Sequence, residues 1–303
     1  MGMKTASTNV HTAPAAREDA QEAHAVHAYA TRWGPAIERT LREGLAGELA
    51  PGALFRQPLE YVLASGGKRY RPLLTLAACE LVGGEPNAAL EAGCAIEYLH
   101  TSSLLLDDLP CMDGAAERRG RRALHQVVGE AETILVSLLL INVAHQMLAR
   151  AGPPDVAARE HFHARICHLI GPEGMIGGQQ VDLWIAQGSV LPSARDQEGQ
   201  LLRKTSALIT AALLAGAQVG GASTEQMQIL ERFGRELGEA YQLTDDALDE
   251  VEDRGRNMLH ANCLERAHDR LRSAMQVLEE GFAGSAAFRT MATLAGFCVH
   301  RTA

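Results

Sequence analysis

Aromatic residues are scarce in this sequence and make up 4% of its 303 residues. Strands are enriched in aromatic and β-branched side chains, whereas Ala and Leu, which are abundant here, favour helices. A chain of this length with 47% hydrophobic residues can bury a large core. The composition therefore predicts an all-α globular protein, and the sequence shows no convincing strand alternation.

Positive charge is also in short supply, because 28 Lys and Arg face 37 Asp and Glu and give a formal net charge of −9. Binding to a phosphate backbone needs a broad basic surface, so nucleic acid is excluded as the main partner. The six cysteines include no Cys-x-x-Cys pair, which argues against a zinc site and against a disulfide framework. We expect reduced cysteines in a cytoplasmic protein.

Long apolar runs are missing as well. The longest weakly polar run, Ser206–Ala222, contains Thr, Gln and Gly and is too short for a membrane span, so we interpret it as a buried bundle helix. The N-terminus lacks the apolar core of a signal peptide, and no secretion is expected. Residues 1–23 show no apolar periodicity and are predicted to form a disordered or loosely attached tail before one helical domain, residues 24–303.

Helical periodicity and turn residues divide this domain into segments. The predicted helices cover Ala25–Leu49, Phe55–Ala64, Leu73–Val82, Asn87–Leu106, Ala123–Ala149, Val156–Ile170, Leu201–Gly220, Gln226–Glu250, Cys263–Glu280 and Ala287–His300. Small residues and amides meet in residues 174–183, which indicates close helix packing around a cavity or a tight helix crossing. The segments together predict a single-domain bundle of ten or more helices.

The densest charge pattern lies in residues 100–120, HTSSLLLDDLPCMDGAAERRG. Asp107 and Asp108 follow an apolar run and so lie near the end of a mostly buried helix, where an uncompensated carboxylate is costly. A carboxylate cluster of this kind, which also includes Asp113, suits Mg²⁺, since this ion takes hard oxygen ligands and bridges to substrate phosphates. The arginine pair at residues 118–119 would hold phosphate oxygens in bidentate fashion.

A second acidic cluster lies in YQLTDDALD, residues 241–249. Asp245 and Asp249 are spaced i, i+4 on a helical pattern and therefore share one face, with Asp246 beside them. Either cluster alone could be a solvated helix end. Two clusters on two helices can instead face each other across a bundle and bind metal together.

Two basic segments accompany the acidic clusters. In SGGKRYRP, residues 65–72, two glycines let the backbone approach a ligand closely and three basic side chains leave the turn in quick succession. A diphosphate suits such a turn, and a solvated loop is the alternative. In RKTS, residues 203–206, a lysine and a hydroxyl could hold phosphate as a point charge and a donor, or mark an ordinary helix boundary.

Five motifs, GGKRYRP, DDLPCMD followed by RRG, GMIGGQ, RKT and QLTDDALD, occur in the order and with the spacing that resemble the trans-prenyltransferases, the isoprenyl diphosphate synthases. The resemblance covers about residues 55–270, and five ordered motifs are far more specific than any single one. The DDxxxxD gap in the first aspartate motif is similar to that of bacterial farnesyl and of plant and bacterial geranylgeranyl diphosphate synthases. The resemblance implies the isoprenoid synthase fold, a helical bundle around a deep central cavity, and a homodimer.

The resemblance also implies roles for individual residues. Mg²⁺ ions, three of them with substrate bound, would be held directly or through water by Asp107, Asp108, Asp113, Asp245, Asp246 and Asp249. The residues that resemble the allylic diphosphate site are Arg118, Lys204, Thr205 and Gln242, and those that resemble the isopentenyl diphosphate pocket are Lys68, Arg71, His100 and Arg119. The catalytic group implied is Asp107, Asp108, Asp113, Lys204 and Asp245.

The implied reaction is the Mg²⁺-dependent head-to-tail condensation of isopentenyl diphosphate with dimethylallyl, geranyl or farnesyl diphosphate. Ser102 and Ser103 lie about one helical turn below Asp107. In this family a bulky aromatic near that position tends to stop the product at farnesyl length or shorter, so the serines leave room. We therefore expect geranylgeranyl diphosphate as the main product, with farnesyl diphosphate next.

The main departure from the family pattern follows Asp249. Family members carry a longer loop with lysines there, whereas residues 250–257 run almost directly into the next helix, with Arg254 and Arg256 as local cations. Three interpretations follow: an active homodimeric synthase, which the intact metal and diphosphate positions favour; a non-catalytic regulatory subunit of such a synthase; and a class I terpene cyclase, against which GGKRYRP and His100 argue.

Overall fold

The computed structural model describes residues 13–152, 155–188, 194–252 and 262–300, and these residues form twelve α-helices, one short 3₁₀ helix (Pro86–Ala89) and a two-stranded hairpin. The helices are α1 (Ala13–Gly44), α2 (Arg56–Ala64), α3 (Tyr70–Leu81), α4 (Leu90–Asp107), α5 (His125–Val128), α6 (Glu130–Ala151), α7 (Val156–Ile170), α8 (Met175–Ala186), α9 (Ala194–Val219), α10 (Thr224–Glu252), α11 (Cys263–Phe282) and α12 (Phe288–His300). The hairpin pairs β1 (Glu117–Arg118) with β2 (Arg121–Arg122). The all-α prediction is confirmed.

The structure differs from several predicted boundaries, and α1 ends at Gly44 rather than Leu49 while α9 begins at Ala194 rather than Leu201. Helix α1 begins at Ala13, so residues 13–23 are helical rather than part of the predicted tail. Ala, Arg, Glu and Gln dominate this stretch. These residues have high helix propensity, so the stretch can form a helix even though it shows no apolar periodicity. Residues 1–12 of the predicted tail lie outside the described residues. The single helix predicted for Ala123–Ala149 is divided into α5 and α6, because Gly129 at φ +89° interrupts it.

Helices α4 and α9 form the centre of the bundle. Most residues of α4 are buried, as expected for a helix that is apolar on nearly every side. It packs against α1, α3, α6 and α9, while α9 also packs against α3, α8 and α10. The first acidic cluster follows α4 and the second lies on α10, so the contacts of α9 with both helices bring the two clusters to the same part of the bundle.

Close packing between α9 and α10 sets the position of the second cluster. A Cβ atom added at Gly238 of α10 would lie 2.3 Å from the Cα atom of Ser206 on α9. Only glycine permits this approach of the two backbones, because the neighbouring atom belongs to the backbone and cannot move aside cheaply. Thr205 and Gln242, one residue before Ser206 and one turn after Gly238, are thereby placed side by side.

Helix α6 is the one described helix whose length and mean hydropathy would suit a membrane span. Core helices of bundles pass the same test, and α6 packs against α4 with its buried side. Its other side exposes three apolar residues, Ile134, Leu135 and Leu138, by 40%, 51% and 55%.

Candidate active site

The glycine turn of the GGKRYRP motif packs against the hairpin that carries the arginine pair, Arg118 and Arg119. Arg119 and Gly120, which connect β1 to β2, both have positive φ angles of 55° and 70°, as expected for a tight hairpin turn. The Arg119 guanidinium donates a hydrogen bond to the Gly66 carbonyl. A Cβ atom at Gly67, whose φ is +147°, would lie 2.6 Å from Arg119 Nη1. The positive φ of Gly67 is what favours glycine here, because the Arg119 side chain is flexible and could move aside.

A cavity of about 440 Å³ lies beside this contact. It is lined by residues from the glycine turn, α3, α4, the hairpin, α10 and α12: Ser65, Gly67, Lys68, Arg69, Tyr70, Arg71, Glu97, His100, Arg119, Tyr241, Phe297 and Cys298. All four residues predicted to form the isopentenyl diphosphate pocket are in this lining. The structure thus brings together side chains that the sequence distributes over more than fifty residues.

Positive charge dominates the lining of this cavity. The buried Arg69 guanidinium donates to Glu38, with Nε to Oε1 at 2.7 Å, and to the buried Glu97, with Nη1 to Oε1 at 3.1 Å. Within the described part of the chain, Arg69 Nη2 and Arg71 Nε are buried without a hydrogen-bond partner. Buried donors are normally satisfied, so these two groups point to an anionic guest.

His100 is kept neutral in this setting. Burial, and then the nearby Arg71 and Arg119 guanidinium groups, hold the pKa of His100 well below its usual value. A neutral imidazole among cations can donate one N–H to an anion without adding to the charge repulsion in the empty cavity.

Helix α12 supplies one wall of the cavity. Lys68 Nζ lies 5.9 Å from the centroid of the Phe297 ring, within the range of a cation–π contact. The Tyr70 hydroxyl donates to the Leu294 carbonyl at 2.8 Å, and the Tyr70 ring stacks on Tyr241 with centroids 6.2 Å apart. No motif in the sequence marked Phe297 or Leu294, because they are more than two hundred residues from the glycine turn.

In the first acidic cluster the three aspartates have different surroundings. Asp108 is 2% exposed, and its Oδ1 accepts two hydrogen bonds from the Arg118 guanidinium, one from Nε at 2.9 Å. The Asp113 N–H donates to the Asp107 carbonyl at 2.9 Å, which folds the loop so that Asp113 comes back towards the end of α4. Asp108 therefore orients Arg118, while the side chains of Asp107 and Asp113 retain access to solvent.

Lys204 of α9 lies between two carboxylates. Its Nζ is 2.8 Å from Asp182 Oδ2 on α8 and 3.8 Å from Asp107 Oδ2. Burial lowers the pKa of Lys204, but the neighbouring Asp107 and Asp182 carboxylates together raise it by more than burial lowers it. The net shift of the Lys204 pKa is therefore upward. Sequence reasoning missed Asp182; the available signal was a carboxylate on the otherwise apolar helical segment of residues 174–183.

Burial also acts strongly on Asp107. It raises the pKa of Asp107 to about 6, although the Lys204 ammonium group opposes the shift. The carboxylate is only 13% exposed at its side chain. At neutral pH this group carries a charge that its surroundings do not fully compensate, which is the electrostatic situation that a bound cation would relieve.

The second acidic cluster is joined to the first through α9. The Thr205 hydroxyl donates to Gln242 Oε1, and Gln242 Nε2 donates to Asp246 Oδ1 at 2.7 Å. Because Thr205 follows Lys204 directly, one short piece of α9 contacts both clusters. Asp245 is half-buried beside Asp246, and the side chain of Asp249 lies outside the described residues.

The two predicted chain-length residues differ in accessibility. Ser102 is 1% exposed, and its hydroxyl donates to the Leu99 carbonyl at 2.7 Å. Ser103 is half-buried and donates to the His100 carbonyl at 2.9 Å. Ser103 precedes Asp107 by four residues and so lies on the same face of α4, whereas Ser102 is turned away from that face.

The fold and the site define a class of protein: an all-α bundle with two acidic clusters in one part and a cationic cavity next to them. The family model for the polyprenyl synthetase matches residues 52–258, which is more than half of the 303-residue chain. The chain belongs to the polyprenyl synthetase family, and the resemblance noted in its five motifs is confirmed.

Named relatives agree with this assignment. The chain is 42% identical over 202 residues to geranylgeranyl pyrophosphate synthase 10, mitochondrial, of Arabidopsis thaliana, covering 66% of this chain and 58% of that protein. It is 40% identical over 198 residues to a chloroplastic geranylfarnesyl diphosphate synthase of Leucosceptrum canum, covering 64% and 54%. The chain therefore matches only a little over half of the length of these relatives.

Among solved structures, an FPP/GFPP synthase from Zymomonas mobilis in its apo form is similar with a TM-score of 0.78 and 28% identity, over 93% of this chain and 99% of that one. This similarity extends over nearly the whole chain and confirms the isoprenoid synthase fold. The segment after the second aspartate motif, residues 250–257 with Arg254 and Arg256, falls mostly outside the described residues, so its effect stays a prediction.

The unusual pKa of Asp107 leads to a prediction about stability. Asp107→Asn should raise the free energy of unfolding of the metal-free protein at pH 7, by at most about 3 kcal/mol at 1.4 kcal/mol per unit of pKa. The folded protein binds the Asp107 proton more tightly than the unfolded chain, since the pKa rises from 3.8 to about 6. The carboxylate therefore destabilises the fold above pH 6, and the gain from its removal should disappear as the pH falls to 4.

Urea unfolding in the presence of a chelator, at pH 7 and pH 4, measures this difference. Asp269→Asn on α11 is the control, because Asp269 is an exposed partner in an i, i+3 ion pair with Arg272 and should change stability little. A lower stability of Asp107→Asn at both pH values would contradict the prediction.

Proposed function

We propose that this protein catalyses the Mg²⁺-dependent head-to-tail condensation of isopentenyl diphosphate with an allylic diphosphate to give a short-chain prenyl diphosphate. The observation that carries this proposal is the presence of two neighbouring anion sites. Arg118 is held at the acidic cluster by Asp108, while the next residue, Arg119, lines the cationic cavity. A terpene cyclase needs a site for one diphosphate, so a second cationic cavity favours condensation.

The donor set at the acidic clusters fits Mg²⁺. Carboxylate oxygens of Asp107, Asp113 and Asp245 are hard ligands, and the raised pKa of Asp107 is consistent with a site that a cation stabilises. Asp246 and Asp249 would support these ligands, and the number of three ions is an expectation from the family. When bound, Mg²⁺ supplies positive charge that stabilises the departing diphosphate.

The side chains of this chain would divide the remaining work. Arg118, Lys204 and Thr205, oriented by Asp108, Asp182 and Gln242, would hold the allylic diphosphate by charge-assisted hydrogen bonds. Lys68, Arg71, His100 and Arg119 would hold the diphosphate of isopentenyl diphosphate in the cationic cavity. The allylic C–O bond then ionises, the isopentenyl double bond attacks the cation, and a proton leaves to the released diphosphate.

The apolar helix packing below the acidic clusters would exclude water during this step. A carbocation reacts rapidly with water, so a dry environment is part of the chemistry. Leu105, two residues before Asp107 on α4, and Leu208, four residues after Lys204 on α9, are both buried. The depth of a central cavity between these helices remains a prediction.

Asp107→Ala and Asp245→Ala should each lower the rate of elongation by about 100-fold or more, since each removes charge stabilisation that the transition state requires. The measurement is product formation from labelled isopentenyl diphosphate with dimethylallyl, geranyl or farnesyl diphosphate and Mg²⁺. Asp269→Asn, an exposed residue of α11, is the control and should keep the wild-type rate.

Absence of elongation by the wild-type protein with every primer would overturn the proposed activity. The alternative of a non-catalytic regulatory subunit would then be tested by adding the protein to an active synthase. Binding of an allylic diphosphate without binding of isopentenyl diphosphate would favour the cyclase.

We further propose geranylgeranyl diphosphate as the main product, with farnesyl diphosphate next. The relatives' names include both geranylgeranyl and geranylfarnesyl diphosphate synthases, so the length must depend on local residues. Ser103 is half-buried one turn below Asp107 and offers a small side chain where the growing product would extend.

Ser103→Phe should shorten the main product by at least one isoprene unit, because the aromatic ring would occupy space below Asp107. Ser103→Ala is the matched control and should leave the product unchanged. Ser102→Phe should have a similar but weaker effect on product length, since Ser102 is fully buried and turned from the Asp107 face. Chromatographic analysis of dephosphorylated products measures the change, and an unaltered spectrum in both Phe variants would refute the cavity-floor argument.

The exposed apolar residues of α6 support a homodimer as the proposed assembly. Ile134, Leu135 and Leu138 lie within two turns of one helix and are each at least 40% exposed. Large apolar side chains grouped on one surface indicate a protein interface. A second copy of the same chain is the family expectation for the partner.

Leu135→Glu combined with Leu138→Glu should convert the dimer into a monomer, because two carboxylates would be buried at the interface. Light scattering coupled to size exclusion measures the mass. Leu54→Glu is the matched control, since Leu54 is 89% exposed elsewhere on the surface and should leave the mass unchanged. A wild-type protein that is already monomeric would contradict the proposal.

The compartment stays a prediction. The expected cytoplasmic location rests on the scattered cysteines of the sequence, which include no Cys-x-x-Cys pair and are expected to be reduced. Relatives in plants are named as mitochondrial or chloroplastic, and those names apply to the relatives.

A further inference from the structure

Three potential metal ligands meet on α6 and α7, outside both the cationic cavity and the acidic clusters. They are His145 of α6 and His163 and Cys167 of α7, and one ligand atom from each lies within 4.8 Å of the other two. His145 Nδ1 is 3.1 Å from His163 Nε2, and Cys167 Sγ is 3.8 Å from His163 Nδ1. The two imidazoles are half-buried and Cys167 is exposed, so an ion can reach the group from solvent.

The spacing of these atoms suits a tetrahedral ion. His163 and Cys167 are four residues apart and share one face of α7, which the His145 ring faces from α6 at a centroid distance of 5.0 Å to His163. Bonds of about 2.0 Å to nitrogen and 2.3 Å to sulfur place the ligands of a tetrahedral Zn²⁺ about 3.3–3.7 Å apart. The 3.1 Å and 3.8 Å separations involve different nitrogens of His163, of which only one would bind the ion. One ligand atom from each residue nevertheless lies within 4.8 Å of the other two, so rotation of the His163 and Cys167 side chains would complete the site.

The types of donor select among metals. Two imidazole nitrogens and one thiolate suit Zn²⁺, whereas Mg²⁺ prefers oxygen.

We propose that His145, His163 and Cys167 form a Zn²⁺ site that links α6 to α7. The three protein ligands leave the fourth position of the ion for water. Binding releases the thiol proton of Cys167 to solvent, and each imidazole coordinates through one nitrogen while the other keeps its proton. No electron is transferred in this step.

A link at this position would have a structural consequence. Among the described residues of α7, only Phe162 and Ile166 are fully buried, and Arg165 forms an ion pair with Glu231 of α10. The side of α7 that carries His163 and Cys167 contacts α6 through the His145–His163 pair. Bound Zn²⁺ would therefore stabilise the packing of α7 on the bundle.

Titration of the metal-free protein with Co²⁺, as a spectroscopic substitute for Zn²⁺, tests the proposal. The expected result is one equivalent of Co²⁺ bound with a thiolate-to-cobalt charge-transfer band, which Zn²⁺ then removes by displacement. Carboxylate-bound Co²⁺ at the acidic clusters gives no such band, so the signal is specific for a cysteine ligand. Zn²⁺ should also raise the thermal midpoint of the wild-type protein.

Two cysteine variants identify the ligand. Cys167→Ser should abolish the charge-transfer band and the thermal shift, whereas Cys111→Ser should keep both; Cys111 is the other exposed cysteine and lies in the first acidic motif. His145→Gln should lower the Zn²⁺ affinity by at least about tenfold. A wild-type protein without the band, a band retained in Cys167→Ser, or an unchanged affinity in His145→Gln would each overturn the proposed site.

Discussion

Lys204 lies between Asp107 and Asp182 and thereby connects α9, the end of α4 and α8 through one charged side chain. Removal of this cation would leave two carboxylates close together in a partly buried place, which is costly. The adjacent Thr205 extends the connection to α10 through Gln242. The arrangement of four helices around the candidate site thus depends on a short polar segment within the otherwise buried helix α9.

The hairpin divides two adjacent arginines between the first acidic cluster and the cationic cavity. Arg118 is held by the buried Asp108, and Arg119 reaches the glycine turn because its backbone adopts a positive φ. For a residue other than glycine this conformation costs of order 1 kcal/mol and persists only where surrounding contacts compensate. The contact between Arg119 and the Gly66 carbonyl provides such compensation and keeps the two sites adjacent.

Local patterns in the sequence were sufficient for most of the helices and for finding the charged motifs. Asp107, Asp108 and Asp245 could be proposed as metal ligands because ligand types at short spacing carry the signal. Contacts between distant segments could not be predicted: Cys298 meets Tyr70 across 228 residues, and no motif in the sequence marks Cys298. The cluster of His145, His163 and Cys167 was not predicted for a related reason. The absence of a Cys-x-x-Cys pair says nothing about metal ligands that two separate helices contribute.

The partly buried charge of the first acidic cluster lowers the stability of the folded protein, and the packing of the rest of the bundle must offset this cost. The raised pKa of Asp107 reflects that cost, and a bound divalent cation would reduce it, so metal binding would be linked to folding at this site. The α6–α7 cluster obeys the same linkage with different ligands. Oxygen donors favour Mg²⁺ and nitrogen with sulfur favours Zn²⁺. Differences in ligand softness would therefore allow one chain to bind both ions at separate sites. Mg²⁺ would serve the reaction at the acidic clusters, and Zn²⁺ would stabilise the packing of α7 on α6.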